Sequence, residues 1–382
     1  GLAGGEEVRL DLRGKSWRYF SVFECGESAA SEEVCLIFKD HVFEAWVGGW
    51  QSQDGLAFEG KPALVMPVTW PHARMTHNMA LLRDGRGYVI VGGQYKIASA
   101  ARCGKRAGHF VPCAKDLPPY NGVWMSRGAS WRFAAAGRRN IRATAPLQSI
   151  VDFGHGTPSQ WSRPQFLFNG THPGCVERRI RYFASLARLG ECEFDGRLSL
   201  VRLRGTLLLY ARANPAAHGQ RFVQVAASTD EGASWSAFSL ISLAGYRYPQ
   251  GDLYFFSVQP NPAANGSLLA LFPIVHKFRG CVGMAVSEDG VRWSAITPLL
   301  RCAVHGERTV HHPVAGVLRR GDAAHVYIHH NVPGVTADVS PSSRAKAEFP
   351  YLDLPPTKLV RYTIPLKALH SWTMESMMSL KR

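Results

Sequence analysis

The chain has 382 residues, 46% apolar and 19% charged, enough to bury a substantial core and unlike the composition of a disordered segment. Its 44 basic and 29 acidic residues give a net charge of +15, a field that draws polyanions; acidic or sulfated glycans are expected before nucleic acid, because no nucleic-acid motif accompanies the scattered basic residues. No run of about 18 apolar residues is present, so no transmembrane helix is encoded.

The 37 glycines and 23 prolines are spread along the chain, which suits many short strands joined by tight turns and disfavours long helices. The first strand–turn–strand unit is Phe20–Phe23 with Val34–Phe38. An apolar run at Val42–Trp50 and the turn Ser52-Gln-Asp54-Gly55-Leu-Ala-Phe58 follow it. The second is Met79–Leu82 with Tyr88–Val91 across Asp84-Gly85, then Gly122–Met125 and an eroded turn, Ser126-Arg-Gly128-Ala-Ser130-Trp131. Residues 132–192 fit this rhythm poorly and read as a long insertion or a degenerate blade. The third unit is Leu198–Leu203 with Leu207–Tyr210 across Arg204-Gly205, then Phe222–Ala227 and Ser228-Thr-Asp230-Glu-Gly232-Ala-Ser234-Trp235. The fourth is Phe255–Val258 with Leu268–Phe272 across Asn265-Gly266, then Cys281–Val286 and Ser287-Glu-Asp289-Gly290-Val-Arg-Trp293. The fifth is Val314–Leu318 with His325–His329 across Arg320-Gly321, and Lys358–Ile364 supplies a strand that could close the array against the first unit.

Each Ser-x-Asp turn has a local logic. The Asp and Ser side chains bond backbone amides, Gly takes a positive φ, and the closing aromatic packs between strands. This recurring element resembles the Asp-box of sialidases and related β-propellers. The fold class expected is all-β: a single β-propeller over residues 1–382, with five (possibly six) four-stranded blades. Each blade's faces are then covered by its neighbours.

In such propellers the boxes lie at the rim, and the innermost strands begin at a central funnel. Blade by blade those strand starts offer Glu24, then His77 and Asn78, then Asp195 and Arg197, then Asp252 and Tyr254, then Glu307, Arg308, His311 and His312. Glycoside cleavage needs two carboxyls about 5–5.5 Å apart for retention or about 6.5–9.5 Å for inversion. Asp195 is the expected nucleophile or base, with Glu307 or Glu24 as acid. Arg197, Arg212 and Arg308 are expected to hold a substrate carboxylate or sulfate through paired hydrogen bonds. The sialidase resemblance implies three arginines on the substrate carboxylate and a nucleophilic tyrosine, a role open to Tyr254. The Arg-x-Pro element of those enzymes has its nearest counterpart at Arg163-Pro164, out of order, and no glutamate adjoins Tyr254. Similarity to five-bladed arabinanase-like and invertase-like glycosidases implies an acidic trio on inner strands, with His77 or His311 able to replace the acid. The function expected is therefore a glycoside hydrolase on an acidic or sulfated glycan; the alternative is a non-catalytic propeller that binds a glycan or a protein, as sortilin-like domains do. No cofactor is expected beyond a possible structural cation such as calcium in the funnel. The pairs His311-His312 and His329-His330 point to opposite faces of their strands, so each offers one ligand at most to a given site.

The eight cysteines contain no C-x-x-C pair, which favours disulfides in an oxidising compartment; Cys25–Cys35, Cys103–Cys113 and Cys175–Cys192 are the local pairings considered. Sequons at Asn169 and Asn265, with no methionine before Gly1, fit a secreted or lumenal protein.

Overall fold

The computed structural model describes residues 2, 4–10, 12, 17–26, 32–40, 46–59, 63–67, 69–70, 73–74, 77–84, 87–94, 104–106, 109–111, 122–128, 165–169, 172–175, 192, 194, 196–215, 221–246, 252–276, 279–300, 309–333 and 357–380. An eight-stranded sheet runs in the order Glu6–Glu7, Lys358–Pro365, Ala323–Pro333, Thr309–Arg320, Trp17–Glu24, Val34–Asp40, Trp46–Ser52, Ala63–Pro67. It consists of two antiparallel four-stranded halves, joined where Ser21 faces Ala315 in parallel. A second sheet orders His77–Asp84, Gly87–Gln94, Gly122–Gly128 and Gln165–Asn169; a third orders Ser199–Leu203, Thr206–Ala213, Phe222–Ser228 and Ser239–Leu240. In the fourth, Leu268–His276 pairs with Ser257–Pro260 and Asp252–Leu253 on one side and with Arg279–Ser287 on the other, followed by Thr297–Leu300.

Strands of this kind, apolar on both faces, must be covered twice. Thr206–Ala213 is buried at every position after the first. The cover comes from neighbouring units, and the core is a set of apolar seams between them. Cys25, Cys35, Ile37, Tyr88, Ile90 and Trp124 fill the seam between the first two units. Val91, Met125, Leu198 and Leu209 belong to the next, and Tyr210, Phe256, Phe272 and Trp293 to the one after. Leu271, Val286, Val326 and Val360 fill another, and Phe20, Phe38, Phe58, Val314 and Tyr327 the last. The first strands of the units follow suit: Ser199–Leu203 packs against His77–Asp84 and against Ser257–Pro260, and Thr309–Arg320 packs against Ser257–Pro260 and Trp17–Glu24.

The strand–turn–strand pairs expected from the sequence are all present as antiparallel ladders. Lys358–Pro365 pairs with Ala323–Pro333 and, on its other edge, with Glu6–Glu7, so the unit is completed by residues from opposite ends of the sequence. Arg361 and Lys358 reinforce that contact through Glu6 at 2.8 Å and Glu7 at 3.4 Å. From the poorly fitting region 132–192, Gln165–Asn169 forms the outer strand of the second sheet. Although the composition disfavours long helices, Leu366–Leu380 is a helix of 15 residues. It buries Leu369, Thr373 and Met377 at four-residue spacing, and its Trp372 indole donates to Thr297 Oγ1 at 3.0 Å. Disulfides Cys25–Cys35 and Cys175–Cys192 are formed. Cys103 and Cys113 lie outside the described residues.

Three Ser-x-Asp turns share one hydrogen-bond scheme. Ser52, Ser228 and Ser287 hydroxyls donate to the Asp54, Asp230 and Asp289 carboxylates, while accepting from the amides of Gly55, Gly232 and Gly290. The glycines have φ of 66°, 87° and 79°, the left-handed region that side chains avoid. Two of these turns are also tied to the preceding unit. Tyr210 Oη donates to the Gly290 carbonyl and Tyr327 Oη to the Gly55 carbonyl, each at 2.8 Å and each buried.

Tyr327→Phe removes the hydroxyl donor of the buried Gly55 carbonyl and should lose about 1–3 kcal/mol in urea denaturation, whereas Tyr210→Phe should lose less, because the Trp293 indole still donates to the Gly290 carbonyl at 3.1 Å. The two losses should add, because they lie on different seams. Amides of Leu56 and Ala57 hold the Asp54 carboxyl down at about 2, below its usual 3.8. A depressed folded-state value stabilises the native protein above about pH 4, and that contribution disappears as pH falls toward 2. The stability gap between wild type and Asp54→Asn should therefore be widest at neutral pH and close below pH 4.

Candidate functional site

The first residues of several inner strands meet in a compact cluster. Their ladders are irregular at that end: register shifts fall between Arg18 and Ser21, between His77 and Ala80, and between Val310 and His312. Such bulges re-aim side chains. Tyr19 adopts φ 55°, a costly backbone state for a tyrosine. Its hydroxyl lies 3.0 Å from that of Tyr254, which belongs to the fourth unit. Both tyrosine rings stack on His312 of the fifth unit, at 6.1 Å and 5.4 Å between centroids, and Phe255 meets the same imidazole edge-on at 5.2 Å.

Four arginines surround this aromatic group. Arg212 and Arg221 place their guanidinium carbons 4.9 Å and 4.8 Å from the centre of the Tyr254 ring, and Arg212 also donates to the Tyr254 carbonyl at 3.1 Å. The Leu253 amide bonds the Arg221 carbonyl at 3.1 Å, which fixes that arginine beside Tyr254. Arg197 donates to the Phe20 carbonyl at 2.7 Å and to Ser21 Oγ, linking the third unit to the first. Burial pushes Arg197 down to about 9, which still leaves it protonated at neutral pH. Arg18 is buried on the first strand of the chain's first unit.

His312 and His329 face each other across the ladder of the fifth unit and are both buried. Burial is the largest cause holding them neutral: His312 is pushed well below the usual imidazole range and His329 down to about 3, with Arg18 adding to both shifts. Their neighbours His311 and His330 project to the other face, with ring centroids 4.6 Å apart, and the Tyr362 hydroxyl lies 3.0 Å from His330 Nε2.

Of the residues singled out in the sequence, Tyr254, Arg197, Arg212 and His312 are brought together here. Arg212 stands near the end of Thr206–Ala213, the second strand of its hairpin. Antiparallel pairing returns it to Gly196, where a β-carbon would fall 2.6 Å from Arg212 Nε. Glu24 requires a correction. It is the last residue of the strand Trp17–Glu24, not near its start, and stands five residues, about 16 Å, beyond Tyr19. There Arg320 and Arg83 hold it in ion pairs, which makes it a tie between strand ends. Arg197 is anchored to backbone and serine oxygens, a positioning contact between units. His77 and Asn78 open the strand His77–Asp84, and their side chains lie outside the description. Asp195, Glu307 and Arg308 lie outside the described residues. Sequence reasoning missed Arg18, Tyr19, Arg221 and Phe255, and it weighed His329 only as one of a pair of ligands. The usable signal was Trp17-Arg-Tyr-Phe, which begins the first inner strand three residues before the apolar run.

Neither a family model nor a curated protein matches the sequence. Solved structures are similar in shape. The catalytic domain of the Coprinopsis cinerea GH62 α-L-arabinofuranosidase matches with a TM-score of 0.50 at 11% identity, over 94% of this chain and 93% of that one. A β-1,2-mannobiose phosphorylase from Listeria innocua gives 0.48 at 10%, over 96% and 95%. Zg3597, a family 117 glycoside hydrolase from Zobellia galactanivorans, gives 0.46 at 11%, over 95% and 90%. The likeness is one of fold. The chain is built mostly of strands, and its fold is like that of the GH62 glycosidase catalytic domain.

Gly196 has φ 130° and its missing β-carbon leaves room for the Arg212 guanidinium. Gly196→Ala should displace Arg212 and strain the backbone, lowering the urea midpoint and shifting the near-UV circular dichroism of the Tyr19–Tyr254 pair. An unchanged spectrum would show that Arg212 does not depend on this gap.

Proposed function

We propose that this protein is a secreted, carbohydrate-active β-propeller of five blades, a glycoside hydrolase whose substrate is an acidic or sulfated glycan. The observation that carries the reading is the meeting of Tyr19, Tyr254 and His312 with Arg18, Arg197, Arg212 and Arg221 where the inner strands begin. A positive centre at the strand starts suits an anionic substrate better than a neutral one. The glycoside-hydrolase-like fold supports the same reading, as do the pairwise packing of first strands and the closing contact of Glu6–Glu7, which we read as a ring of five blades.

In this scheme Asp195 is the nucleophile or base and Glu307 the acid. Asp195 directly precedes Gly196 in sequence, and Glu307 stands two residues before the strand Thr309–Arg320. Arg212 and Arg221 face the acid group of the sugar, the sequence offers Arg308 as a third arginine for it, and the paired hydroxyls of Tyr19 and Tyr254 line the approach. His77, Asn78 and His311 complete the surrounding strand starts. Glu24 is left out of the chemistry by its position.

Reducing-end release from a panel of arabinan, polygalacturonate, ulvan and sulfated galactans tests this. Release should be confined to the acidic or sulfated members and fall by about 10²-fold or more in Asp195→Asn and Glu307→Gln. Binding to those polymers without any release would establish a non-catalytic glycan-binding propeller instead.

A further inference from the structure

Beneath the Tyr19–Tyr254 pair lies a centre with unusual chemistry. Arg18 is 5% exposed and His312 and His329 are 2% and 3% exposed. Arg18 Nε and all four ring nitrogens of the two histidines are enclosed, and none has a hydrogen-bond partner among the described residues. Arg197, 3% exposed, bonds a carbonyl and a hydroxyl, neither of which carries charge. Among the described residues no carboxylate forms an ion pair with Arg18 or Arg197.

Buried donors and buried charges are ordinarily paired, so a cluster that leaves this many unmet indicates a missing component. Two guanidinium charges disfavour a cation, even though two imidazoles could ligate one. The complement is an acceptor with negative charge. Enclosure restricts its size, because the rings of Tyr19, Phe20, Tyr254 and Phe255 pack around the histidines.

We propose that this centre binds one monovalent anion of halide size, held by N–H groups of Arg18 and Arg197 and by one N–H from each of His312 and His329. The ion lowers the positive charge beneath the substrate-facing tyrosines and joins the first, third and fifth units at their strand starts. It does not depend on the hydrolase reading, since a non-catalytic propeller of this geometry would bind it equally.

Thermal unfolding at fixed pH and ionic strength, with sodium chloride progressively replacing sodium gluconate, tests the site without any activity measurement. Chloride and bromide should raise Tm by a few degrees in a saturable way. Sulfate should not, and Arg18→Met should abolish the response. Bromide-soaked crystals should show an anomalous peak between Arg18 and the two imidazoles, a result that stands even if the variant fails to fold. Equal Tm in gluconate and chloride with no bromide peak would overturn the proposal. So would a chloride response that survives Arg18→Met, or one that sulfate reproduces.

Discussion

A four-stranded sheet that is apolar on both faces has no stable existence in water by itself, and everything else in this molecule follows from how its sheets cover one another. The seams do that work through apolar side chains from adjacent units. Several polar contacts tie one unit to the next. The Tyr210 and Tyr327 hydroxyls each reach a glycine carbonyl in the next unit, through a gap that only a residue without a β-carbon leaves open. At a third seam the same task falls to ions: Glu231 is held by Arg202 at 2.7 Å and by Arg127 at 3.4 Å.

Coverage on the outside leaves a different problem at the centre, where strand starts converge and their side chains have no outer shell to dissolve into. Here aromatic faces, guanidinium groups and neutral imidazoles stack in place of a hydrophobic plug. A centre of this composition is poorly suited to simple structural filling, because its cations and ring nitrogens ask for partners. Its chemistry therefore carries more functional information than the turns at the rim, whose carboxylates are consumed by backbone amides. Asp230, held at about 2 by Ser234 and Ser228, is an acceptor already in use.

The rim was legible in the sequence because its physics is local. Ser228, Asp230, Gly232 and Trp235 fall within eight residues, and their hydrogen bonds close within the same stretch. The hairpin pairs were legible for a similar reason: continuous apolar runs flank turns such as Arg204-Gly205, where both residues take positive φ. The centre was legible only in part: Arg197, Arg212, Tyr254 and His312 stand out as strand-start residues, but the rest is assembled from positions 18 to 329 by bulges that the residue pattern does not announce. Tyr19 precedes the apolar run and looks like a flanking residue until its left-handed backbone turns it inward. Arg18 and Arg221 look like two more scattered basic residues. Glu24 was misplaced for the converse reason, since the strand begins earlier than its apolar stretch suggests. The helix was hidden because its buried stripe, Leu369, Thr373 and Met377, includes a threonine satisfied by Asn261 and is flanked by exposed Met374 and Met378.

The pairing of Glu6–Glu7 with Lys358–Pro365 has a consequence for the order in which the molecule comes into being. During synthesis Glu6–Glu7 emerges with its hydrogen-bonding edge unmatched, and its partner strand is made some 350 residues later. Internal sheets such as the third can mature from contiguous sequence, whereas the unit that pairs Glu6–Glu7 with Lys358–Pro365 must wait for strands some 350 residues apart to meet. Until then the first unit and the fifth each expose an apolar flank. The interval between those two events is the period in which the nascent protein is most open to aggregation, and the point at which chaperone protection would matter most.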